Sequence, residues 1–274
     1  MTEATGTVVE AGRPIDGVGH PMIAVTDVTK RFTSRAGVAH TVLEDVSLDA
    51  GPGEFISLVG RSGCGKTTLL KIFAGLVTPT EGQLTVMGRE RDRPEPSFVG
   101  FVPQAPALLP WRTVLRNVLL PVQVLGGDLR SARQRAVALL GAMDLGDAVD
   151  KHPWELSGGM QQRVAIARAL IHDPAVLFMD EPFAALDALT RDSMAGQLQR
   201  VHMQHGKTVL FVTHSIPEAV YLSDRVIVMS KDPGRVARVF PVDLPRPRQH
   251  AEVLRSDLLP EIEAALGVDA GGAG

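Results

Sequence analysis

Two apolar patterns alternate along this chain and predict different elements. "MIAVTDVTKRF", ending at Phe32, and "TVLEDVSLDA" (41–50) mix apolar and polar positions as strands do, and Gly51-Pro52-Gly53 follows as a turn. "EFISLV" (54–59), "AVLFM" before Asp180, "TVLFVT" before His214, "RVIVMS" and "RVARVFPV" are denser apolar runs, with "EGQLTVMG" and "VGFVP" as shorter ones. Such runs suit strands covered on both faces. Between them lie helical stripes: Leu115, Val118, Leu119 and Val122; then Leu129, Ala132, Ala136, Leu139, Leu140 and Met143; then Met160, Val164, Ala167 and Ile171. "LLKIFAGL", after Thr68, reads as a further helix.

This order predicts an α/β fold with a parallel core sheet, helices on both faces and a helical subdomain at about residues 105–157. Residues 1–21 are Gly-rich and aperiodic, which predicts a flexible arm. Residues 22–240 carry the alternation, and 241–274 form a Pro/Arg-rich tail, weakly helical before "GGAG".

Charge changes the picture by exclusion. The 28 Lys+Arg balance 31 Asp+Glu, so the chain lacks the basic stripe of a nucleic-acid binder. The single cysteine, Cys64, allows no internal disulfide and suits a reducing compartment. Apolar runs fall short of the ~18 residues of a membrane span, and the N-terminus lacks a secretion signal. The expectation is a cytosolic protein that reaches a membrane only through a partner.

Candidate chemistry begins at "GRSGCGKTT", Gly60, Arg61, Ser62, Gly63, Cys64, Gly65, Lys66, Thr67 and Thr68. It fits G-x-x-x-x-G-K-[ST] between a strand and a helix: a backbone cradle for phosphates, with Lys66 reaching the β- and γ-phosphates and the Thr67 hydroxyl available to Mg²⁺. Asp180 and Glu181 emerge from the next apolar strand. Asp180 suits a Mg²⁺ held through water, and Glu181 is the candidate for polarising an attacking water. His214 and Gln104 also follow strands, at the sheet edge where α/β ligands sit; Gln104 is a candidate for Mg²⁺ or water. Phe32 is a candidate for stacking on adenine. The other histidines, His20, His40, His152, His172, His202, His205 and His250, are read as structural or exposed. A second anion cup stands at "LSGGMQQR", where Ser157, Gly158 and Gly159 open a helix.

Phosphate loop, Gln104, "LSGGMQQR", "FMDEP", "ALD" (185–187) and His214 stand in an order and spacing that resembles the ATP-binding cassette (ABC) ATPases over about residues 22–235. The resemblance implies a P-loop NTPase core with a parallel sheet, an antiparallel β subdomain and a helical subdomain. It implies ATP and Mg²⁺ as ligands, with Glu181, His214 and Lys66 catalytic. It also implies head-to-tail pairing with a second cassette, identical or sister, whose ATP is touched by Ser157, Gly158, Gly159, Gln161 and Asp187. "ALLPWRTVLRNV" (107–118) and "FVTHSIPEAVYLSDRVIVMSKDPGRV" are similar to the ATPase subunits of nitrate/sulfonate/taurine-type importers. That branch implies an integral membrane permease, an external solute-binding protein and a place on the cytoplasmic membrane face. Trp111 is then either a permease anchor or core. A soluble ABC ATPase and an exporter cassette are the competing readings.

Overall fold

The computed structural model describes residues 20–34, 37–184 and 186–268. Most of the predicted arm, Ala185 of the "ALD" motif and the terminal "GGAG" lie outside the described residues.

Two sheets form. Strands β1 (Ile23–Thr33), β2 (Ala39–Ala50), β4 (Glu81–Val86) and β5 (Arg89–Glu90) make an antiparallel sheet ordered β2-β1-β4-β5. Strands β3 (Phe55–Gly60), β6 (Val99–Val102), β7 (Val176–Asp180), β8 (Thr208–Val212), β9 (Arg225–Met229) and β10 (Val236–Pro241) make the second, ordered β10-β9-β3-β8-β7-β6. Its pairs are parallel except β9–β10.

The dense apolar runs follow from where this sheet sits. Alternate residues of its strands enter two different cores. Ile56, Leu58, Phe178, Leu210, Val212 and Ile227 pack with Leu69, Leu70 and Phe73 of α1 (Lys66–Phe73) and with the antiparallel sheet. Phe55, Val59, Leu177, Met179, Val209 and Phe211 pack on the other face, against α5 (Gly158–Leu170), α6 (Ala188–His205) and α7 (Ile216–Leu222). A side chain as large as Phe178, fully buried, contributes about 1.5–3 kcal/mol. Neither face has a polar side to alternate with.

Between β6 and α5 the regular elements are helical. The stripe expected over 115–122 divides into α2 (Val114–Val118) and α3 (Leu120–Val124). Pro121 has no N–H to continue the ladder. Asn117, fully buried, bonds instead to the backbone of Leu109, Arg112 and Thr113. In α4 (Leu129–Ala142) the buried stripe starts at Ala132, because Leu129 lies exposed in the first turn.

The Pro/Arg-rich segment folds back on α7, carrying α8 (His250–Leu254) and α9 (Leu258–Val268). Arg248, 3% exposed, donates to the carbonyls of Val220, Tyr221 and Ser223 at the end of α7 and to Leu244. Burial lowers its pKa to about 10, yet leaves the guanidinium charged where a helix C-terminus presents unpaired carbonyls. No helix among the described residues is long and apolar enough to cross a membrane.

Candidate nucleotide site and its two halves

The first half is built where β3 runs into α1. Gly63 and Gly65 take φ of +82° and +94°, the left-handed region that glycine enters without strain. A Cβ on Gly65 would stand 2.5 Å from Leu43 Cδ2, and one on Gly60 would stand 2.6 Å from Cys64 Sγ. The loop therefore closes around small residues. Lys66 is buried at its centre and donates to the carbonyls of Gly60 (2.7 Å) and Arg61 (3.2 Å). Arg61, Ser62 and Gly63 line the outer rim, and Thr68 is half-buried in the first turn of α1. Cys64 is buried beneath Gly60.

Thr67 and Asp180 meet. The Thr67 hydroxyl donates to Asp180 Oδ1 at 2.8 Å, bringing α1 and the end of β7 together. Burial raises the Asp180 pKa from its ordinary value, and the Thr67 hydrogen bond opposes the shift. This pair of hard oxygen donors fits Mg²⁺. Among the described residues no cluster of three or more His, Cys, Asp or Glu side chains is placed to hold a metal alone, so an ion here needs ligand oxygens as well.

Glu181 is the point of convergence. It follows β7 with φ +45°, a strained conformation for a residue with a Cβ. Its N–H donates to Val212 O on the adjacent strand (2.9 Å). Gln104 Nε2 donates to Glu181 Oε2 at 3.3 Å, and His214 Nδ1 stands 3.6 Å from the same oxygen. Three residues far apart in sequence thus gather at the carboxyl ends of β6, β7 and β8. Phe32 lies on β1, 44% exposed, with Lys30 Nζ 4.9 Å from its ring centre.

The second half stands at the start of α5. Ser157 is the N-cap, its hydroxyl accepting from Met160 N at 3.3 Å. Gly158 is exposed, and a Cβ there would meet nothing within 4 Å. Beside Gly159 stands Thr190 on α6, whose N–H and hydroxyl both donate to the N-cap Asp187. These bonds hold the exposed Asp187 carboxyl below the usual carboxylate range. Gln161 departs from its neighbours. It turns inward and donates to the carbonyls of Pro153 (2.9 Å) and Leu156 (3.4 Å), bracing the signature turn. Among the described residues, no hydrogen bond or ion pair joins Ser157–Gly159 to the loop at 60–68.

Supports absent from the sequence reading appear as well. Arg168 donates to the carbonyls of Pro106 and Ala107, tying α5 to the segment after Gln104. Thr213 donates to Glu218, and Ser215 caps α7, on either side of His214. The S-x-x-E spacing of Ser215 and Glu218 is a legible capping signal; Arg168 has none.

A strand–glycine loop–helix cradle, an acidic strand end and a parallel sheet define a nucleotide-binding P-loop domain. A family profile described as "ABC transporter" matches residues 43–184. The aliphatic sulfonates import ATP-binding protein SsuB of Granulibacter bethesdensis is 43% identical over 248 residues, 90% of this chain and 95% of that relative. The nitrate import ATP-binding protein NrtC of Synechococcus elongatus is 44% identical over 237 residues, 85% of this chain; the chain spans only 36% of that longer relative. A solved structure described as the dimeric post-hydrolysis state of the ATP-binding cassette MJ0796 with ADP and Pi superposes with a TM-score of 0.73 at 33% identity, covering 82% of this chain and all of that one. The chain belongs to the ABC transporter family, as one of its ATP-binding cassettes.

Proposed function

We propose that this chain hydrolyses ATP to energise a bacterial importer for a small solute of the nitrate/sulfonate/taurine-like class. In this reading it works as a pair with a second cassette, on the cytoplasmic face of a membrane permease served by an external solute-binding protein. The names of the similar import subunits support the importer branch.

The observation that carries the hydrolytic reading is the gathering of Gln104 and His214 on one oxygen of Glu181, next to the Thr67–Asp180 pair. The phosphate loop binds the triphosphate through its N–H groups and Lys66. Mg²⁺, when bound beside Thr67 and Asp180, spreads the negative charge of the phosphate oxygens. Glu181 orients a water in line with the γ-phosphorus and takes its proton as the new P–O bond forms. The bond to the β-phosphate oxygen breaks, leaving ADP and phosphate. Gln104 and His214 hold the Glu181 carboxylate in place and offer N–H groups toward the same space. The outward-facing cup at Ser157–Gly159 completes the γ-phosphate shell of the opposite cassette.

Glu181→Gln keeps the size of the side chain and removes the base, so hydrolysis falls by about 10²–10⁴. Nucleotide binding survives, and ATP stays uncleaved between a phosphate loop and an opposing signature. Light scattering on the mutant with MgATP then shows a dimer, which the added change Ser157→Arg abolishes. Normal hydrolysis by Glu181→Gln removes the catalytic role, and a monomer both alone and with the permease removes the shared site.

A further inference from the structure

One polar network outside the reacting groups runs from the turn before Asp187 to the His214 loop. Arg191, on the first turn of α6, donates through Nη2 to Leu186 O (2.9 Å), just before Asp187. Its Nε lies 3.5 Å from Glu218 Oε1 on α7. Glu218 is almost buried, and its other oxygen accepts from Thr213 Oγ1 at 2.6 Å. Thr213 Oγ1 in turn accepts from Ser215 N (3.0 Å), so the Thr213 hydroxyl ties the turn around His214 to this carboxylate. At the far end, Asp187 fixes Thr190, whose Cγ2 would stand 3.0 Å from a Cβ added to Gly159. The line runs from the outward cup, through Asp187, Leu186, Arg191 and Glu218, to the His214 loop.

We propose that the Arg191–Glu218 pair is a positioning device that binds the His214 loop to the turn before Asp187, so that the surface meeting a second cassette sets the aim of the catalytic loop. This rests on the ATPase reading above. The pair touches no reacting atom. Its Nε–Oε1 separation of 3.5 Å is long for a hydrogen bond, and among the described residues the solvent-shielded Arg191 Nε has no hydrogen-bond partner. Burial raises the Glu218 pKa while Thr213 and then Arg191 oppose the shift, so removing Arg191 leaves the Glu218 carboxylate with the Thr213 hydroxyl alone to offset its burial. His214 and Asp192 are the other titratable groups that act on Glu218.

The test is a double-mutant cycle on the full chain, with steady-state ATPase activity, MgADP affinity and melting temperature read in parallel. Glu218→Gln and Arg191→Met are each expected to lower kcat about tenfold, since small misplacements of a catalytic group are costly. KM and MgADP affinity stay within about twofold, because neither residue touches the phosphate loop. The double variant is no slower than the slower single one, as expected of groups acting as one unit. Thr213→Val, which removes the hydroxyl tie between Glu218 and the His214 loop while leaving the Arg191–Glu218 pair in place, gives the same kcat loss and serves if Glu218→Gln fails to fold. Additive losses, an unchanged kcat, or kcat and affinity falling together overturn the proposal. If the unmodified chain hydrolyses ATP and Glu181→Gln does not, while Glu218→Gln runs at full rate, this proposal fails alone. If the unmodified chain hydrolyses no ATP, both readings fall.

Discussion

The chain carries two turns of similar make-up, and they are built in opposite ways. The phosphate loop at 60–66 is closed: two of its glycines take positive φ, its lysine is buried, and neighbouring atoms fill the space a Cβ would need at Gly60 and Gly65. The turn at 157–159 is open: Gly158 has room for a Cβ, and the Ser157 hydroxyl is committed only to its own helix. Both use unpaired N–H groups at a helix start. One is finished by its own fold, whereas the other leaves Gly158 exposed at the start of its helix.

The sharpest way to break this contrast is to add the same methyl group to each turn. Gly65→Ala forces a side chain into positive φ and against Leu43 and Val42. We expect a loss of about 1–3 kcal/mol of stability from backbone strain and no measurable MgATP binding by calorimetry. Gly158→Ala should change chemical-denaturation stability by less than about 0.5 kcal/mol and leave nucleotide binding by the single chain unchanged, while slowing hydrolysis in the assembled pair. Equal damage from the two substitutions removes the distinction.

Trp111 extends the open class of features. It is 71% exposed beside Arg112, Arg116, Leu119 and Gln123, which answers the question of core against surface. Trp111→Ala should weaken co-purification with the permease by about 2 kcal/mol or more if it is an interface anchor, with the melting temperature of the isolated chain unchanged.

The smallest effect concerns the closed half. Burial raises the Asp180 pKa, so the folded chain holds that proton more tightly than the unfolded chain does. Stability without nucleotide therefore falls as pH rises from the ordinary carboxylate value through the raised one. Asp180→Asn removes this penalty and keeps an oxygen for Thr67, so the melting temperature at neutral pH should rise slightly, and the rise should vanish at acid pH. The same variant should lose the extra stabilisation that Mg²⁺ adds to ATP. A lower melting temperature at neutral pH contradicts the burial argument.

The local pattern of the chain was enough to place β3, β7 and β8, because a strand covered on both faces must be apolar at nearly every position. It was also enough for the phosphate loop, whose function depends on backbone freedom, written directly as glycine. It did not reveal that the stripe at 115–122 divides at Leu119, two residues before Pro121, since apolar spacing is blind to a missing N–H. Nor did it show that Gln161 faces inward, because hydrogen-bond partners such as Pro153 O are fixed by how the loop folds. The convergence on Glu181 depends on β6, β7 and β8 lying side by side, an order set by crossover connections and not by neighbouring residues. The strained φ of Glu181 and the Arg191–Glu218 link have the same origin. Local sequence specifies which chemical groups exist and which backbone can curl; only long-range packing decides which of those groups meet, and which are left facing outward for another molecule.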